Sequence, residues 1–372
     1  WHEGENHMFK DEKIYIAGPE CFYTGGYEML GAMRKYAESK GFGVTLPNDH
    51  PLDMGNPDLQ KRADSIFADL KAIMLDTTVV IADLEAYRGS EADSGTIYEL
   101  GMAYGKGARC YGYTRDKRPL AWKDQKYVLK DGVVYDEHGK EAPYKDLPFS
   151  PAIIGSTKII EGDFGDCLHA LMTDIEEEKK QAGMRRKPQV QPEKTVYSDK
   201  PVVYISGAER YDKDSKIIYE NMKKLCEKYG LQAYTPADWA EGVTEIETDC
   251  PYTKAANYFD SWQQHVRNCD AIIANLNDYR GYECSNDVGF ECGMAFQLGK
   301  KMYGYMDDIR PAKEKIPNLG EAREYRDMTG ASVENFNYPQ NLMFSCSMKI
   351  IEGSFEHVIE QIAEEIRGTV RK

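Results

Sequence analysis

Tyr87-Arg-Gly-Ser-Glu-Ala-Asp-Ser-Gly-Thr-Ile-Tyr-Glu-Leu-Gly-Met-Ala103 is the stretch that decides the fold of this chain. Nearly the same residues return 192 positions later as Tyr279-Arg-Gly-Tyr-Glu-Cys-Ser-Asn-Asp-Val-Gly-Phe-Glu-Cys-Gly-Met-Ala295. Each copy follows an apolar run typical of a buried strand and carries a glutamate in the first turns of a predicted helix. A match of this length at a fixed offset predicts that the chain is an internal duplication.

Strands and helices are predicted to alternate in both copies. In the first copy, strands are predicted at residues 13–18, 43–47, 77–82, 109–113 and 158–161, and helices at 26–40, 57–75 and 164–180, besides the helix that carries Glu99. In the second copy, strands are predicted at residues 201–207, 270–275 and 349–353. This alternation predicts an α/β fold with two tandem, doubly wound parallel sheets of the flavodoxin or Rossmann type.

The predicted domains are residues 8–184 and 201–372, joined by a Pro-, Gln- and Lys-rich linker at 185–200. Residues 1–7 are interpreted as an expression remnant and left out of the fold. Two segments break the repeat: residues 126–141 are predicted to form a hairpin turning at Asp131-Gly132, and the charged residues 307–327 a surface loop.

Composition limits the classes of function. A net charge of −15 and a pI of about 5.1 argue against a nucleic-acid backbone or an anionic membrane as partner. The nine cysteines show no C-x-x-C pair or metal-ligand spacing, and they are interpreted as reduced thiols of a cytoplasmic protein. No apolar run approaches the roughly 18 residues of a membrane span. Neither a cofactor nor a metal is expected.

Polar residues of the first copy converge on the carboxyl ends of the predicted strands, where open parallel sheets bind ligands. They are Tyr15, Asp69, Asp93 and Glu99, and Gly95 lets the backbone approach a ligand closely. A carboxylate kept ionised near helix amides can attack an electrophilic carbon while a second carboxyl group moves a proton to the leaving group. This pairing is the chemistry of retaining glycosyl transfer.

Ile14-Tyr-Ile-Ala-Gly-Pro19 followed by the first copy of the long motif closely resembles the nucleoside 2-deoxyribosyltransferases. The resemblance implies that Glu99 is the nucleophile, that Tyr15 orients it, and that Asp93 and Asp69 lie near the base. It implies exchange of the base of a 2′-deoxynucleoside through a deoxyribosyl-enzyme ester, with nucleosides and free nucleobases as partners. Release of the base to water is the hydrolytic variant.

The same family completes each site with an Asn-Leu-Met segment from a neighbouring subunit, which resembles Asn341-Leu-Met343 of the second half. The matching stretch of the first half, Phe149-Ser-Pro-Ala-Ile153, has no asparagine. One complete site is therefore expected across an internal pseudo-dimer interface, with Gly18, Gly95, Asn341 and Met343 binding the substrate. Further assembly into a homo-oligomer is left open.

The second half keeps Tyr204 and Glu291 but lacks the acids, since Gln263 stands opposite Asp69 and Ser285 opposite Asp93. This second site is expected to be inactive or altered.

Two alternatives remain open. Residues 285–291 are also similar to the Ser-x-x-Val-Gly-Tyr-Glu pattern of the nucleoside 5′-monophosphate N-glycosidases, with Ser285 at the phosphate and only Arg210 and Arg280 as basic residues nearby. The other alternative is a nucleotide-binding sensor that has lost turnover.

Overall fold

The computed structural model of the protein describes residues 8–47, 49–50, 52–123, 126–181 and 194–370. The first half contains the strands β1 Lys13–Ala17, β2 Gly43–Thr45, β3 Val79–Asp83, β4 Arg109–Thr114, β5 Val128–Lys130, β6 Val133–Tyr135 and β7 Lys158–Glu161. Its helices are α1 Gly26–Ser39, α2 Leu59–Asp76, α3 Ser94–Gly105, α4 Leu120–Lys123, α5 Pro151–Ser156 and α6 Phe164–Lys180.

The second half repeats this order. Its strands are β8 Val202–Ser206, β9 Gln232–Tyr234, β10 Ala271–Asn275, β11 Lys301–Met306 and β12 Lys349–Glu352. Its helices are α7 Ser215–Lys228, α8 Pro251–Asn268, α9 Asn286–Gln297, α10 Ala312–Lys315, α11 Leu342–Ser347 and α12 Phe355–Val370. A short 3-10 helix follows the first strand of each half, at Pro19–Phe22 and at Ala208–Tyr211.

Each half builds one parallel sheet of five strands, in the order β2-β1-β3-β4-β7 and β9-β8-β10-β11-β12. Most residues of the central strands are apolar because helices cover both faces of each sheet, and Ile14, Ile16 and Ile81 are fully buried. The strand order is that of the flavodoxin-like doubly wound fold. The predicted fold class is confirmed.

Helices α3 and α9 pack against each other and join the halves into an internal pseudo-dimer. Their contact is close because each presents a glycine to the other. A side chain at Gly101 would place its Cβ 2.1 Å from the carbonyl oxygen of Phe290, and one at Gly293 would place its Cβ 1.9 Å from that of Tyr98. The glycine of each long motif therefore permits the close approach of these helices.

The glutamate of each Tyr-Arg-Gly-x-Glu motif crosses the interface and accepts a hydrogen bond from a backbone N–H at the start of the opposite helix. Glu283 accepts a hydrogen bond from the backbone N–H of Ser94 at 2.7 Å, and Glu91 accepts one from that of Asn286 at 2.7 Å. These N–H groups begin α3 and α9, where an intrahelical partner is lacking. The repeated glutamate is thus explained by reciprocal capping between the halves.

The predicted hairpin is confirmed: β5 and β6 pair antiparallel, and Asp131 and Gly132 both have positive φ, as a two-residue turn of type I′ requires. The segment 307–327, predicted to be a surface loop, is largely exposed or half-buried and mostly irregular, but it also contains two short helical segments. Its start forms α10, and Ala312 and Ile316 pack with Val333 in a small apolar cluster. Its end is held in place because Asp327 forms an ion pair with Arg88, which is far away in the sequence.

Of the predicted linker, residues 185–193 lie outside the described residues, as do residues 1–7. Lys194 forms an ion pair with Asp270 at 2.7 Å, and the backbone N–H of Thr195 donates to Asn268 at 2.8 Å. The last residues before the second sheet therefore lie against that sheet's own half. Within the described ranges, no helix combines the length and the apolar character needed to cross a membrane.

Candidate active site

A cavity of about 410 Å³ opens at the carboxyl ends of β1 and β3, and both halves of the chain line it. The first half contributes the turn after β1, the start of α3, the loop after β2 and one face of α2. The second half contributes residues 332–336 and the start of α11. A nucleoside-sized ligand fits a cavity of this size.

Glu99 lies in the wall of this cavity on α3 and is 8% exposed. The hydroxyl of Tyr15, on β1, donates a hydrogen bond to Glu99 Oε1 at 2.9 Å. Burial raises the pKa of Glu99 to about 8; the hydrogen bond from Tyr15 opposes that rise, and the charges of Asp93 and Glu20 add to it. The carboxyl group is therefore fixed in position and gains reactivity when it loses its proton.

Asp93 is the N-cap of α3 and also lines the cavity. Its Oδ2 accepts hydrogen bonds from the backbone N–H of Thr96 at 2.8 Å and from the Thr96 hydroxyl at 2.6 Å. Its Oδ1 is buried and has no hydrogen-bond partner among the described residues. Burial raises the pKa of Asp93 above its ordinary value, and the bonds from Thr96 act against that rise. Oδ1 is thus available to exchange a proton with a bound ligand.

Asn341, from the second half, reaches this cavity of the first half. It is the N-cap of α11, and its Oδ1 accepts a hydrogen bond from the backbone N–H of Met343 at 2.9 Å, which turns the amide Nδ2 toward Gly95. A Cβ at Gly95 would lie 2.7 Å from that Nδ2. The absent side chain of Gly95 therefore makes room for the asparagine, and Met343 and Gly18 line the cavity beside them.

Like Tyr15, Asp69 is not among the described residues that line the cavity. It is buried on α2 and hydrogen-bonds to Nδ1 of His50, whose side chain is 58% exposed. The negative charge of Asp69 contributes to the raised pKa of Tyr15, after the larger effects of burial and of Glu99. Asp69 thus influences the Tyr15–Glu99 pair through its charge.

The structure adds Glu334, which sequence reasoning missed. Its carboxylate accepts a hydrogen bond from the backbone N–H of Leu342 at 2.8 Å, and it lines the cavity. Burial raises its pKa to about 8. Cys21 and Phe22 of the 3-10 helix also line the cavity. No signal marked Glu334, because the corresponding residue of the first half is Pro143 and the repeat therefore does not single out this position.

The second half presents Tyr204 and Glu291 in the same relation, with a hydrogen bond of 3.0 Å from the tyrosine hydroxyl. However, Arg210 donates to both carboxylate oxygens of Glu291, at 2.9 Å and 2.8 Å. The side chains of Arg210 and Glu291 are 2% and 1% exposed. Arg210 occupies the place that Cys21 holds in the first half. The carboxylate of Glu291 is thus neutralised and shut away from solvent.

Two further exchanges alter this second site. Asp287 takes the place of Gly95 and accepts a hydrogen bond from the backbone N–H of Ala152 at 3.0 Å. Ser150 takes the place of Asn341, and its hydroxyl is buried with no partner among the described residues. Ser285, which replaces Asp93, caps α9 without a side-chain hydrogen bond.

One sequence correspondence needs correction. Helices α2 and α8 are each separated by two residues from the central strand that follows. Aligning the two helices on these ends places Ser261, and not Gln263, at the position that corresponds to Asp69. The hydroxyl of Ser261 accepts a hydrogen bond from the backbone N–H of Ala240 at 2.9 Å, and Gln263 accepts one from Arg267 at 2.6 Å. The second half still lacks an acid at this position.

Within the described ranges, no group of three or more His, Cys, Asp or Glu side chains is arranged to hold a metal ion. The first cavity instead offers a nucleophile-like carboxylate held by a tyrosine, a second carboxyl group with a free oxygen, and an amide donor. These are the parts that a glycosyl transfer through a covalent ester needs.

A sequence profile of the nucleoside 2-deoxyribosyltransferases matches residues 14–144 and matches again over residues 203–343. These matches span more than half of the chain, and the chain belongs to the nucleoside 2-deoxyribosyltransferase family. It is therefore an enzyme of the pentosyltransferase kind.

Three relatives align with about half of this chain each. An uncharacterised protein of Schizosaccharomyces pombe is 24% identical over 200 residues, which make up 50% of this chain and 91% of the relative. The 2-desoxiribosyltransferase from Leishmania mexicana is 29% identical over 44% of this chain and 97% of its own, with a TM-score of 0.36. A conserved protein from Enterococcus faecalis is 17% identical over 46% of this chain and 99% of its own, with a TM-score of 0.27.

Proposed function

We propose that the first cavity transfers a 2-deoxyribosyl group between nucleobases through a covalent ester on Glu99. The observation that carries this proposal is the Tyr15–Glu99 hydrogen bond of 2.9 Å at a cavity that Asp93 and Asn341 also line.

In the proposed first half-reaction, ionised Glu99 attacks the anomeric carbon of a 2′-deoxynucleoside. The bond between that carbon and the base nitrogen breaks, its electron pair leaves with the base, and the base gains a proton from Asp93 Oδ1 or from a water that Asp93 holds. Asn341 Nδ2 donates a hydrogen bond to a sugar hydroxyl, so that the sugar stays in place after the base leaves.

In the second half-reaction, another base enters, its nitrogen attacks the anomeric carbon, and Glu99 departs as the carboxylate. Asp93 takes up the proton that the incoming base releases, which restores the starting state. Water in place of the second base gives hydrolysis. Asp69, with His50, belongs in this proposal to the base side of the pocket, where it supports the loop that contains Leu52 and Met54.

The geometry does not support the alternative hypothesis that the second half cleaves nucleoside 5′-monophosphates. Arg210, the basic residue nearest to Glu291, is consumed by its two hydrogen bonds to that carboxylate. Arg280 lies over the rings of Tyr127, Tyr144 and Tyr279. A phosphate in the second cavity could bind Arg210 only by competing with Glu291 for it, and Arg280 is not among the described residues that line that cavity.

The test incubates the protein with deoxyinosine and free adenine and measures deoxyadenosine and hypoxanthine by chromatography. We expect exchange in the natural protein, a loss of about 10³-fold or more in Glu99→Gln, and full exchange in Glu291→Gln, the matched change in the other half. Mass spectrometry of the natural protein with deoxyinosine alone should find a deoxyribosyl group on the peptide that contains Glu99.

Two results would overturn the assignment. Undiminished exchange by the Glu99→Gln protein would remove the proposed nucleophile, and loss of exchange in Glu291→Gln alone would move the chemistry to the second half. Release of hypoxanthine without formation of deoxyadenosine would make water the acceptor and the protein a hydrolase.

A further inference from the structure

A second cavity, of about 710 Å³, lies in the second half at the place that corresponds to the first cavity. Arg210 and Tyr211 line it where the first cavity has Cys21 and Phe22, and Tyr144 crosses from the other half where the first has Asn335. The duplication has therefore kept an open, two-sided cavity and has not filled it with core side chains.

The second cavity does not expose a carboxylate that corresponds to the proposed nucleophile of the first cavity. Glu291 does not line it, because Arg210 closes the space between the cavity and the carboxylate, and Asp287 is held by the hydroxyl of Tyr211 and the backbone of Ala152. With the carboxylate of Glu291 paired and 1% exposed, a bound ligand meets the edge of a neutralised ion pair and no nucleophile.

Aromatic rings have replaced aliphatic side chains in the walls. Trp262 and Tyr258 on α8 stand where the first cavity has Leu70 and Ile66 on α2. The rings of Tyr258 and Trp262 stack with centroids 6.0 Å apart, Trp239 meets Tyr258 edge-on at 5.8 Å, and the guanidinium of Arg210 lies 4.4 Å from the centroid of Trp262. Trp262 is buried beneath these contacts, whereas Trp239 and Tyr258 are half-buried and expose part of their rings, on which a planar, π-rich ligand can stack.

The charges around the mouth cancel. Three lysines line the cavity together with three acids: Lys145, Lys216, Lys254, Glu141, Asp146 and Glu245. Among the described residues of the lining, the only other charged side chain is that of Arg210, which Glu291 neutralises. A balanced rim gives no net attraction to a phosphate group and suits an uncharged ligand.

We propose that the second cavity binds a nucleobase, free or as its nucleoside, without cleaving it. The choice of ligand class rests on the proposed function of the first cavity; the existence of the site rests on the cavity, its aromatic walls and the closed Arg210–Glu291 pair. The protein would then carry one cavity that turns substrate over and one that only senses it.

Intrinsic fluorescence tests the proposal, because Trp239 and Trp262 line the second cavity and none of the described residues that line the first is a tryptophan. The full-length Glu99→Gln protein, in which turnover is blocked, is titrated with deoxyadenosine. We expect a saturable fluorescence change, and equilibrium dialysis should give two bound nucleosides per chain.

Ala237→Tyr, added to Glu99→Gln, fills the second cavity from an exposed position of its lining. It should weaken the fluorescence response at least tenfold and lower the dialysis count to one. Ala322→Tyr, at an exposed site on no described cavity, is the matched control and should change neither. Thermal melts of the variants establish that each is folded.

Deoxyadenosine 5′-monophosphate in place of deoxyadenosine should bind the second cavity within about threefold of the nucleoside, given the balanced rim. The inference is wrong if the fluorescence titration is flat, if Ala237→Tyr leaves it unchanged, or if the monophosphate binds tenfold tighter. The non-cleaving assignment would be overturned if the Glu99→Gln protein released adenine and the double variant Glu99→Gln, Glu291→Gln did not. Because exchange activity reports on the first cavity alone, failure of this inference and failure of the proposed function are separable.

Discussion

The protonation of Glu99 governs when the proposed nucleophile is active. Since the pKa of Glu99 is raised to about 8 by burial, its carboxyl group is mostly protonated at neutral pH. We expect kcat/KM for deoxynucleoside exchange to rise with pH from about 6 to about 8, because only the ionised form attacks.

The Tyr15→Phe variant provides a second test of how the protonation of Glu99 controls activity. The hydrogen bond from Tyr15 lowers the pKa of Glu99, so its removal should shift the midpoint of the kcat/KM profile to higher pH. The measurement is the pH dependence of kcat/KM for the natural protein and the variant. A profile that is flat over this window, or a midpoint that moves down in Tyr15→Phe, would contradict the assignment.

Gly95 is the residue on which the asparagine of the other half depends. In Gly95→Ala the new Cβ would lie 2.7 Å from Asn341 Nδ2, and the amide must move. Loss of one positioned hydrogen bond of about 1–1.5 kcal/mol predicts a fall in kcat/KM of roughly tenfold.

The matched change is Gly31→Ala in α1, where a Cβ meets no atom within 4 Å. It should leave kcat/KM unchanged. Steady-state kinetics on both variants check this pair, and equal activities in the two would mean that Asn341 does not hold the sugar.

The segment from β11 to α11 connects the second half to the first cavity, and a charge pair anchors it. Arg88 Nε donates to Asp327 Oδ2 at 2.7 Å, with side chains 6% and 7% exposed, and Arg88 also bonds to the carbonyl oxygen of Ser332 at 2.9 Å. Residues 332–336, next in the chain, line the cavity. The pair therefore sets the position of one cavity wall.

Asp327→Ala should loosen that wall and leave Arg88 buried without its partner. We expect a rise in KM with a smaller change in kcat, and a loss of about 3 kcal/mol in the free energy of unfolding. Asp308→Ala, which breaks the exposed pair with Arg310 on the same segment, is the control and should alter neither KM nor stability. An unchanged KM in Asp327→Ala would show that the wall is held by other contacts.

Sequence patterns predicted the regular elements well, since each follows from contacts near in the chain. The apolar strands, the amphipathic helices and the Asp131-Gly132 turn are local features. The anchoring of the segment at 307–327 was not predicted, because it comes from Arg88, more than two hundred residues away. A run of charges looks the same whether its members meet water or a distant buried partner.

The entire chain buries several carboxyl groups in protonated form, and its stability should depend on pH accordingly. Burial raises the pKa of Glu20, Glu99, Glu283 and Glu334 from 4.5 to about 8. The folded state keeps protons that the unfolded chain releases above pH 4.5. The free energy of unfolding should therefore fall as pH rises from about 4.5 to about 8, by at most about 1.4 kcal/mol per pH unit for each group.

Urea unfolding at pH 6 and pH 8 measures this dependence. Glu283→Gln keeps an acceptor for the backbone N–H of Ser94 and removes one titrating group, so its unfolding free energy should fall less between the two values. This comparison separates the buried carboxyl from general charge repulsion in a chain of net charge −15. A greater stability at pH 8 than at pH 6 would refute the prediction.

The duplication itself predicted the pseudo-dimer, and the resemblance of Asn341-Leu-Met343 to the family's inter-subunit segment predicted that Asn341 meets the first cavity. It did not predict Glu334, which has no counterpart in the repeat, or the bond from Arg210 to Glu291. An arginine after the first strand has no distinctive pattern in sequence. Only the fold brings its guanidinium to a carboxylate 81 residues away.

The exchange of Cys21 for Arg210 has a bearing on how such a chain can evolve. In an assembly of two identical subunits, one codon specifies both members of every symmetric pair, and an arginine at this position would block every active site at once. Fusion of the two subunits into one polypeptide gives each member its own codon. One copy is then free to acquire a change that would be lethal to the other, and the enzyme survives while half of it takes on a new task.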